Sequence, residues 1–98
     1  MDLEVVAFEW DWDEGGNVEH IARHEVMPED VNEVKDHAPR FGLNPADRSA
    51  THVMLGMNRA GRYLHVAMVE TPRRGVWFVV TANWLNARRA QRLYDRLG

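Results

Sequence analysis

The sequence predicts an α+β domain in which an antiparallel sheet is preceded by two helices and followed by one. Two runs rich in β-branched and aromatic residues, 61–70 and 75–82, flank a short Pro/Arg/Gly connection, which is typical of a β-hairpin. Both parities of the first run are apolar, which indicates a central strand covered on both faces. Helical patterns occupy residues 17–37 and 87–97, on either side of the strands. Elements in this order are typical of the α+β class.

The N-terminal part predicts one strand and two helices. Residues 5–10 predict a first strand, and residues 17–24 predict a helix with a narrow apolar stripe. Pro28 suits a first helical position, so a second helix is expected from there to about His37, before Pro39. The residues expected to face the core in these elements are Val6, Phe8, Trp10, Val18, Ile21, Ala22, Val31 and Val34.

The remaining chain predicts the other strands and a last helix. Residues 40–43 predict a short edge strand, and residues 44–49 have the composition of a turn. Residues 51–57 predict a strand in which Gly56 marks a bulge or a close approach, and a turn joins it to the central hairpin. Asn86 suits the N-cap of the last helix. The apolar stripe of that helix comprises Ala87, Ala90, Leu93, Tyr94 and Leu97.

Length and composition narrow the class of protein. Ninety-eight residues predict a single domain over residues 1–98. The chain contains no cysteine, which excludes a disulfide scaffold, thiol catalysis and cysteine-ligated zinc. The N-terminus is acidic and lacks a secretion-signal pattern, and no apolar run approaches the roughly 18 residues of a membrane span. A cytoplasmic protein without membrane contact is therefore expected.

Charge is unevenly distributed along the chain. Residues 1–38 carry a net charge of −10, residues 39–72 carry +2 and residues 73–98 carry +5. This polarity predicts two surfaces with different partners, a basic partner for the first and a polyanion for the last. The alternative is self-complementarity, in which the acidic helices lie near the basic one.

The arginines of the last helix are the strongest chemical signal. Arg88, Arg92 and Arg96 are spaced by four and share one helix face, with Arg89 beside them. The first helical turn disfavours cations, yet two of these arginines lie there. Arginines beside free N–H groups suit a phosphate. The alternatives are a solvated face or ion pairs with the acidic helices.

Histidine and tryptophan supply further candidates. His20 and His24 share a helix face; they could bind a metal, contact substrate or be structural. His65, in mid-strand, is either a core histidine with a hydrogen-bond partner or a general acid or base facing a groove. Trp84, just before the arginine helix, could stack on an RNA base, or pack in the core or at an interface with a partner.

A set of short motifs stands in a fixed order over nearly the whole chain. The segments are Phe8-Glu9-Trp10-Asp11, Asn17, His20-Ile21-Ala22-Arg23-His24-Glu25-Val26, Pro28-Glu29-Asp30-Val31, Met54-Leu55-Gly56, Gly61-Arg62-Tyr63-Leu64, Val79-Val80-Thr81-Ala82 and the basic helix ending near Tyr94. This ordered set resembles BrnT-type toxins, a family that typically opens with F-E-W-D and an Asn, then an L-x-K/R-H-G-V stretch and an E-E-A/V helix.

The resemblance implies a RelE-like fold and a ribonuclease toxin of a type II toxin–antitoxin system. Such an enzyme cleaves RNA without metal or cofactor by assisting attack of the 2′-OH on the adjacent phosphate. A BrnA-like antitoxin would mask the toxin and would alone contact operator DNA; a homodimer is an open alternative. The residues expected to be catalytic are His24, His65, Arg62 and Arg88. The residues expected to bind substrate are Arg59, Asn83, Trp84, Arg89, Arg92 and Tyr94.

Three positions depart from the family pattern. Asn83 stands where the family usually has Arg, and an amide cannot neutralise a phosphate. Arg89 stands near a usual Glu, and Glu25 replaces the glycine that follows the first-helix histidine. These departures support a second hypothesis, in which the chain is a protein-binding module of the same fold without ribonuclease activity. A third hypothesis is a metal-dependent enzyme that uses His20 and His24.

Overall fold

The computed structural model describes residues 1–44 and 49–97 of the chain. Five strands and three helices follow one another as β1 Ala7–Glu9, α1 Asn17–Ala22, α2 Pro28–Lys35, β2 Arg40–Leu43, β3 His52–Met57, β4 Tyr63–Glu70, β5 Val76–Leu85 and α3 Ala87–Leu97. The centre of the turn predicted at 44–49 lies outside the described residues. Within the described ranges, no helix combines the length and the apolar composition that a bilayer crossing requires.

The strands form one sheet in the order β1-β5-β4-β3-β2. The four strands from β2 to β5 are antiparallel, β4 is central and β2 lies at an edge, as predicted. The predicted α+β class, with two helices before these strands and one after, is confirmed. The sequence did not reveal that β1 runs parallel to β5, which makes the sheet mixed.

Two apolar cores lie on the two faces of the sheet. The larger core packs α1 and α2 against one face through the buried residues Phe8, Ile21, Val26, Val31, Val34, Met54, Leu64, Val66, Met68, Trp77, Val79 and Ala82. The smaller core packs α3 on the other face through Leu55, Tyr63 and Ala90, with Leu85, Leu93, Tyr94 and Leu97 around them. The double-sided pattern of β4 arises because Leu64 and Val66 face one core and Tyr63 faces the other.

Some predicted core positions are wrong. Val6 is 63% exposed because the first strand begins only at Ala7. Ala22 is exposed because it is the last residue of α1, and Ile21 is the apolar residue that this helix buries against the sheet. Ala87 is exposed because it is the first residue of α3. The first buried residue of that helix is Ala90.

Gly56 marks a close approach, as predicted. A Cβ atom at this position would lie 2.9 Å from Val34 Cγ1 and 3.2 Å from Pro39 Cβ. The missing side chain therefore lets α2 and the chain after it rest directly on β3.

Glu25 occupies a backbone conformation that favours glycine. Its φ is 62°, in the left-handed region, where a Cβ atom costs about 1 kcal/mol or more. Replacing Glu25 with glycine should therefore raise the free energy of unfolding by about 1 kcal/mol, measured by urea denaturation. Glu29→Gly, at an exposed position within α2, should instead lower the free energy of unfolding. An unchanged or lower stability of Glu25→Gly would contradict this reading of the turn.

Candidate functional site

The last helix presents a cleft lined by arginines. Asn86 caps α3 as predicted, because its Oδ1 accepts a hydrogen bond from the Arg89 backbone N–H at 2.9 Å. One side of the helix then forms an open cleft of about 360 Å³. The lining residues are Asn86, Arg88, Arg89, Arg92, Leu93 and Arg96.

These four arginines have no carboxylate partner in the part of the chain that the structure describes. None of them forms an ion pair with an acidic residue of ranges 1–44 and 49–97. The acidic helices α1 and α2 pack on the opposite face of the sheet, so they do not neutralise α3. Uncompensated guanidinium groups in an open cleft can bind phosphate oxygens in bidentate geometry.

A second groove adjoins the arginine cleft between α3 and the sheet. It has a volume of about 340 Å³ and shares Leu93 and Arg96 with the cleft. Its other lining residues are Leu43, Asn44, Val53, Leu55, His65 and Leu97. His65 thus faces a groove. Arg96 lines the same groove, and leucine and valine side chains form its apolar floor around the imidazole.

The surroundings of His65 favour its uncharged form. Burial lowers the pKa of His65 below the ordinary value of 6.5, and the positive charge of Arg89 lowers it further. The ring has no hydrogen-bond partner among the described residues, which favours the groove-facing interpretation over that of a core histidine with a partner. Asn83 lies directly across the β4–β5 ladder from His65 and is half-buried.

Because the pKa of His65 is lowered in the folded protein, His65 should make the fold less stable at acid pH. Below pH 6.5 the unfolded chain binds a proton at His65 more readily than the folded chain does. Stability should therefore fall as pH drops from 6.5 through the lower folded-state pKa. In His65→Gln this contribution disappears, so the wild-type minus variant difference should be flat above pH 6.5 and move against the wild type below it. Urea denaturation across this range tests the claim, and a difference independent of pH would refute it.

A second group of predicted site residues lies away from the cleft, where α1 covers β5. His24 Nδ1 lies 3.0 Å from the carbonyl oxygen of Ala82, and Trp84 Nε1 donates to the Glu25 carbonyl at 3.0 Å. The Arg62 guanidinium carbon lies 4.4 Å from the centroid of the Trp84 ring. His24, Trp84 and Arg62 thus form one surface, which is distinct from the cleft of Arg88, Arg89 and Arg92.

His20 and Thr81 lie beside this surface, at the edge of β5 that α1 covers; this histidine edge comprises His20, His24 and Thr81. The sequence assigns no role to Thr81. His20 Nε2 lies 3.2 Å from Thr81 Oγ1, and the rings of His20 and His24 meet edge to face with centroids 5.4 Å apart. The pairing depends on β1 ending at Glu9, which leaves the later part of β5 for α1 to cover. The spacing of the histidines indicated a shared face, but nothing in the sequence indicated the threonine.

Arg59 and Tyr94 lie in neither group. Arg59 is at the β3–β4 turn, where its Nε lies 3.7 Å from Glu33 Oε1. The Tyr94 hydroxyl donates to the Ala38 carbonyl at 2.8 Å, and the Arg40 guanidinium carbon lies 4.1 Å from the ring centroid. These contacts assign Tyr94 to the attachment of α3 on the sheet.

Comparison with known proteins identifies no family for this chain. Matches were sought among protein-family models, curated proteins and solved structures, and none was found. Among the described residues, no group of three or more histidine and acidic side chains is arranged to hold a metal ion. The arginine cleft, the His65 groove and the histidine edge of His20 and His24 are the candidate sites of this chain.

Proposed function

We propose that the protein is a metal-independent endoribonuclease that acts as the toxin of a type II toxin–antitoxin pair in the cytoplasm. The observation that carries the proposal is the open cleft lined by Arg88, Arg89, Arg92 and Arg96. Four arginines that pair with no carboxylate of residues 1–44 and 49–97 favour a polyanion, and an open cleft suits a single strand whose bases are accessible.

The chemistry follows from the demands of RNA cleavage. The 2′-OH attacks the adjacent phosphorus while negative charge grows on the phosphate oxygens, so fixed cations lower the barrier. Arg88 and Arg92 would hold phosphates along α3, and Arg62 would hold one beside Trp84. A histidine, His24 or His65, would move the proton. The partner would be a BrnA-like antitoxin that covers the basic surface and alone contacts operator DNA.

The test compares two pairs of arginines. The purified protein should cleave single-stranded RNA with undiminished rate in the presence of a chelator. Arg88→Ala with Arg92→Ala should reduce cleavage about 100-fold and lower the slope of log affinity against log salt by about 1.4. Arg73→Ala with Arg74→Ala removes the same charge from the hairpin at the other end of β4 and β5, and should leave both nearly unchanged.

Two outcomes would overturn the proposal. One is the absence of cleavage by folded wild-type protein, and the other is equal loss in both arginine pairs. Loss of activity on addition of chelator would remove the metal-independent mechanism.

A binding module without ribonuclease activity is the second candidate, favoured by Asn83. Its amide faces the same side as His65, where a cation would be needed to neutralise a phosphate. This candidate predicts a tight complex with a small protein encoded beside it and intact RNA. Turnover of RNA by the isolated chain would exclude it.

A further inference from the structure

His20 and His24 contact the edge of β5, and their ring nitrogens have different hydrogen-bond partners there. A carbonyl oxygen only accepts, so the 3.0 Å contact with Ala82 places a hydrogen on His24 Nδ1. In the uncharged ring, the lone pair then lies on Nε2, which has no partner among the described residues. The main chain of β5 thereby orients His24 as a proton acceptor.

His20 is placed as the complementary group. Its Nε2 contacts the Thr81 hydroxyl at 3.2 Å, and its Nδ1 has no partner within the described ranges. Its ring meets that of His24 with centroids 5.4 Å apart, and the His20 side is exposed to solvent. Two imidazoles at this separation can act on opposite sides of one phosphodiester.

The same surface offers contacts for RNA around the scissile linkage. Arg62 lies over Trp84, which is anchored to Glu25, the neighbour of His24. Residues 81–86 of β5 and its end lead from the histidines to the arginine cleft over about 17 Å of extended chain. A single strand that lies along the edge of β5 beyond its pairing with β1 would pass from the α1 face, which carries the histidines, to the start of α3 on the opposite face.

We propose that His24 and His20 are the base and the acid of the RNA cleavage proposed above, on which this inference rests. His24 Nε2 takes the 2′-OH proton, and the 2′-oxygen forms a bond to phosphorus as the bond from phosphorus to the 5′-oxygen breaks. His20 gives a proton to the departing 5′-oxygen. The products are a 2′,3′-cyclic phosphate and a 5′-OH, and exchange with solvent restores both rings. His65 then contacts the strand in the groove and moves no proton.

Conservative variants separate proton transfer from structure. Asparagine at 24 keeps a donor near the position of Nδ1, and glutamine at 20 keeps one near that of Nε2. Both variants should therefore fold normally, yet His24→Asn and His20→Gln should each reduce cleavage by 100-fold or more. The double variant should be little worse than the more impaired single one, because the pair acts as a unit. His37→Asn is the matched control, because His37 Nδ1 also lies 3.0 Å from a main-chain carbonyl oxygen, that of Glu33. This variant should cleave RNA at the wild-type rate.

A sulfur-substituted substrate tells the acid from the base. The probe is a short single-stranded RNA oligonucleotide with a wild-type cleavage site and sulfur in place of the 5′-bridging oxygen. A thiolate leaves without protonation, so this substrate should restore cleavage by His20→Gln and not by His24→Asn.

The outcomes distinguish this inference from the proposed function. Wild-type cleavage with an unimpaired His20→Gln would overturn the acid role and leave the ribonuclease proposal standing. If His65→Gln lost cleavage while His24→Asn and His20→Gln stayed active, proton transfer would be assigned to His65 in the groove. Absence of cleavage by folded wild-type protein would overturn the proposed function and this role of the pair with it.

Discussion

Replacing Trp77 with alanine should lower the free energy of unfolding by about 4 kcal/mol. The side chain is only 3% exposed, lies in the larger core and meets the His52 ring edge to face at a centroid distance of 5.1 Å. Its Nε1 also donates to the Glu4 carbonyl at 2.9 Å, which ties the N-terminal segment to β5. Domains of this size have about 5–15 kcal/mol of stability in total, so the loss should be evident in urea denaturation.

Trp12→Ala supplies the matched control. Trp12 is 68% exposed, so its removal should change stability by less than about 0.5 kcal/mol. Hydrogen exchange should add a local effect of Trp77→Ala, because the Val6 backbone N–H that donates to the Gly75 carbonyl at 2.7 Å should lose protection. Equal destabilisation by the two tryptophan changes would contradict the placement of Trp77 in the core and of Trp12 at the surface.

Replacing Asn17 with alanine should lower the free energy of unfolding by about 3 kcal/mol. Asn17 is the one buried polar residue of the described chain, and its amide makes three hydrogen bonds to the main chain. Nδ2 donates to the carbonyls of Glu9 and Val79, each at 3.0 Å, and Oδ1 accepts from the Asp11 N–H at 2.7 Å. Alanine would leave these groups unpaired where β1, α1 and β5 meet.

Two further variants sharpen that test. Asn17→Asp keeps the acceptor for Asp11 but loses both donors and places a charge beside two carbonyls, so it should be at least as destabilising as alanine. Asn32→Ala, on the exposed side of α2, should change stability by less than about 0.5 kcal/mol. If Asn17→Ala were as mild as Asn32→Ala, water would have to replace all three bonds.

The sequence was informative wherever residue type and period acted together. The apolar positions of β4 on both parities predicted a central strand, and Leu64 and Tyr63 do lie in opposite cores. Asn86 predicted the start of α3, and the fourfold spacing of Arg88, Arg92 and Arg96 predicted that they share one face of that helix, where all three line the cleft. These are local properties, which neighbouring residues in the chain determine.

The arrangement of the candidate site was less predictable because it depends on pairing between distant segments. Nothing near Arg62 reveals that it stacks on Trp84 away from the arginine cleft, since this follows from the β4–β5 register. The contact of His20 with Thr81 requires the parallel pairing of β1 with β5, which leaves room for α1. Tyr94 fitted both an apolar stripe and a substrate contact, and only the position of Ala38 assigns its hydroxyl.

The parallel pairing of β1 with β5 also sets the order in which a newly made chain can fold. Ala7 pairs with Val76, so the first strand has no partner until most of the chain has been translated. At about 5–20 residues per second, translation from Ala7 to Val76 takes roughly 3–14 s. A fragment broken off before β5 would lack Val79 and Ala82, against which Ile21 packs, and would also lack α3. Chains that lack β5 and α3 should therefore be unfolded and readily degraded, and the arginine cleft and the histidine edge should form only after α3 has been made.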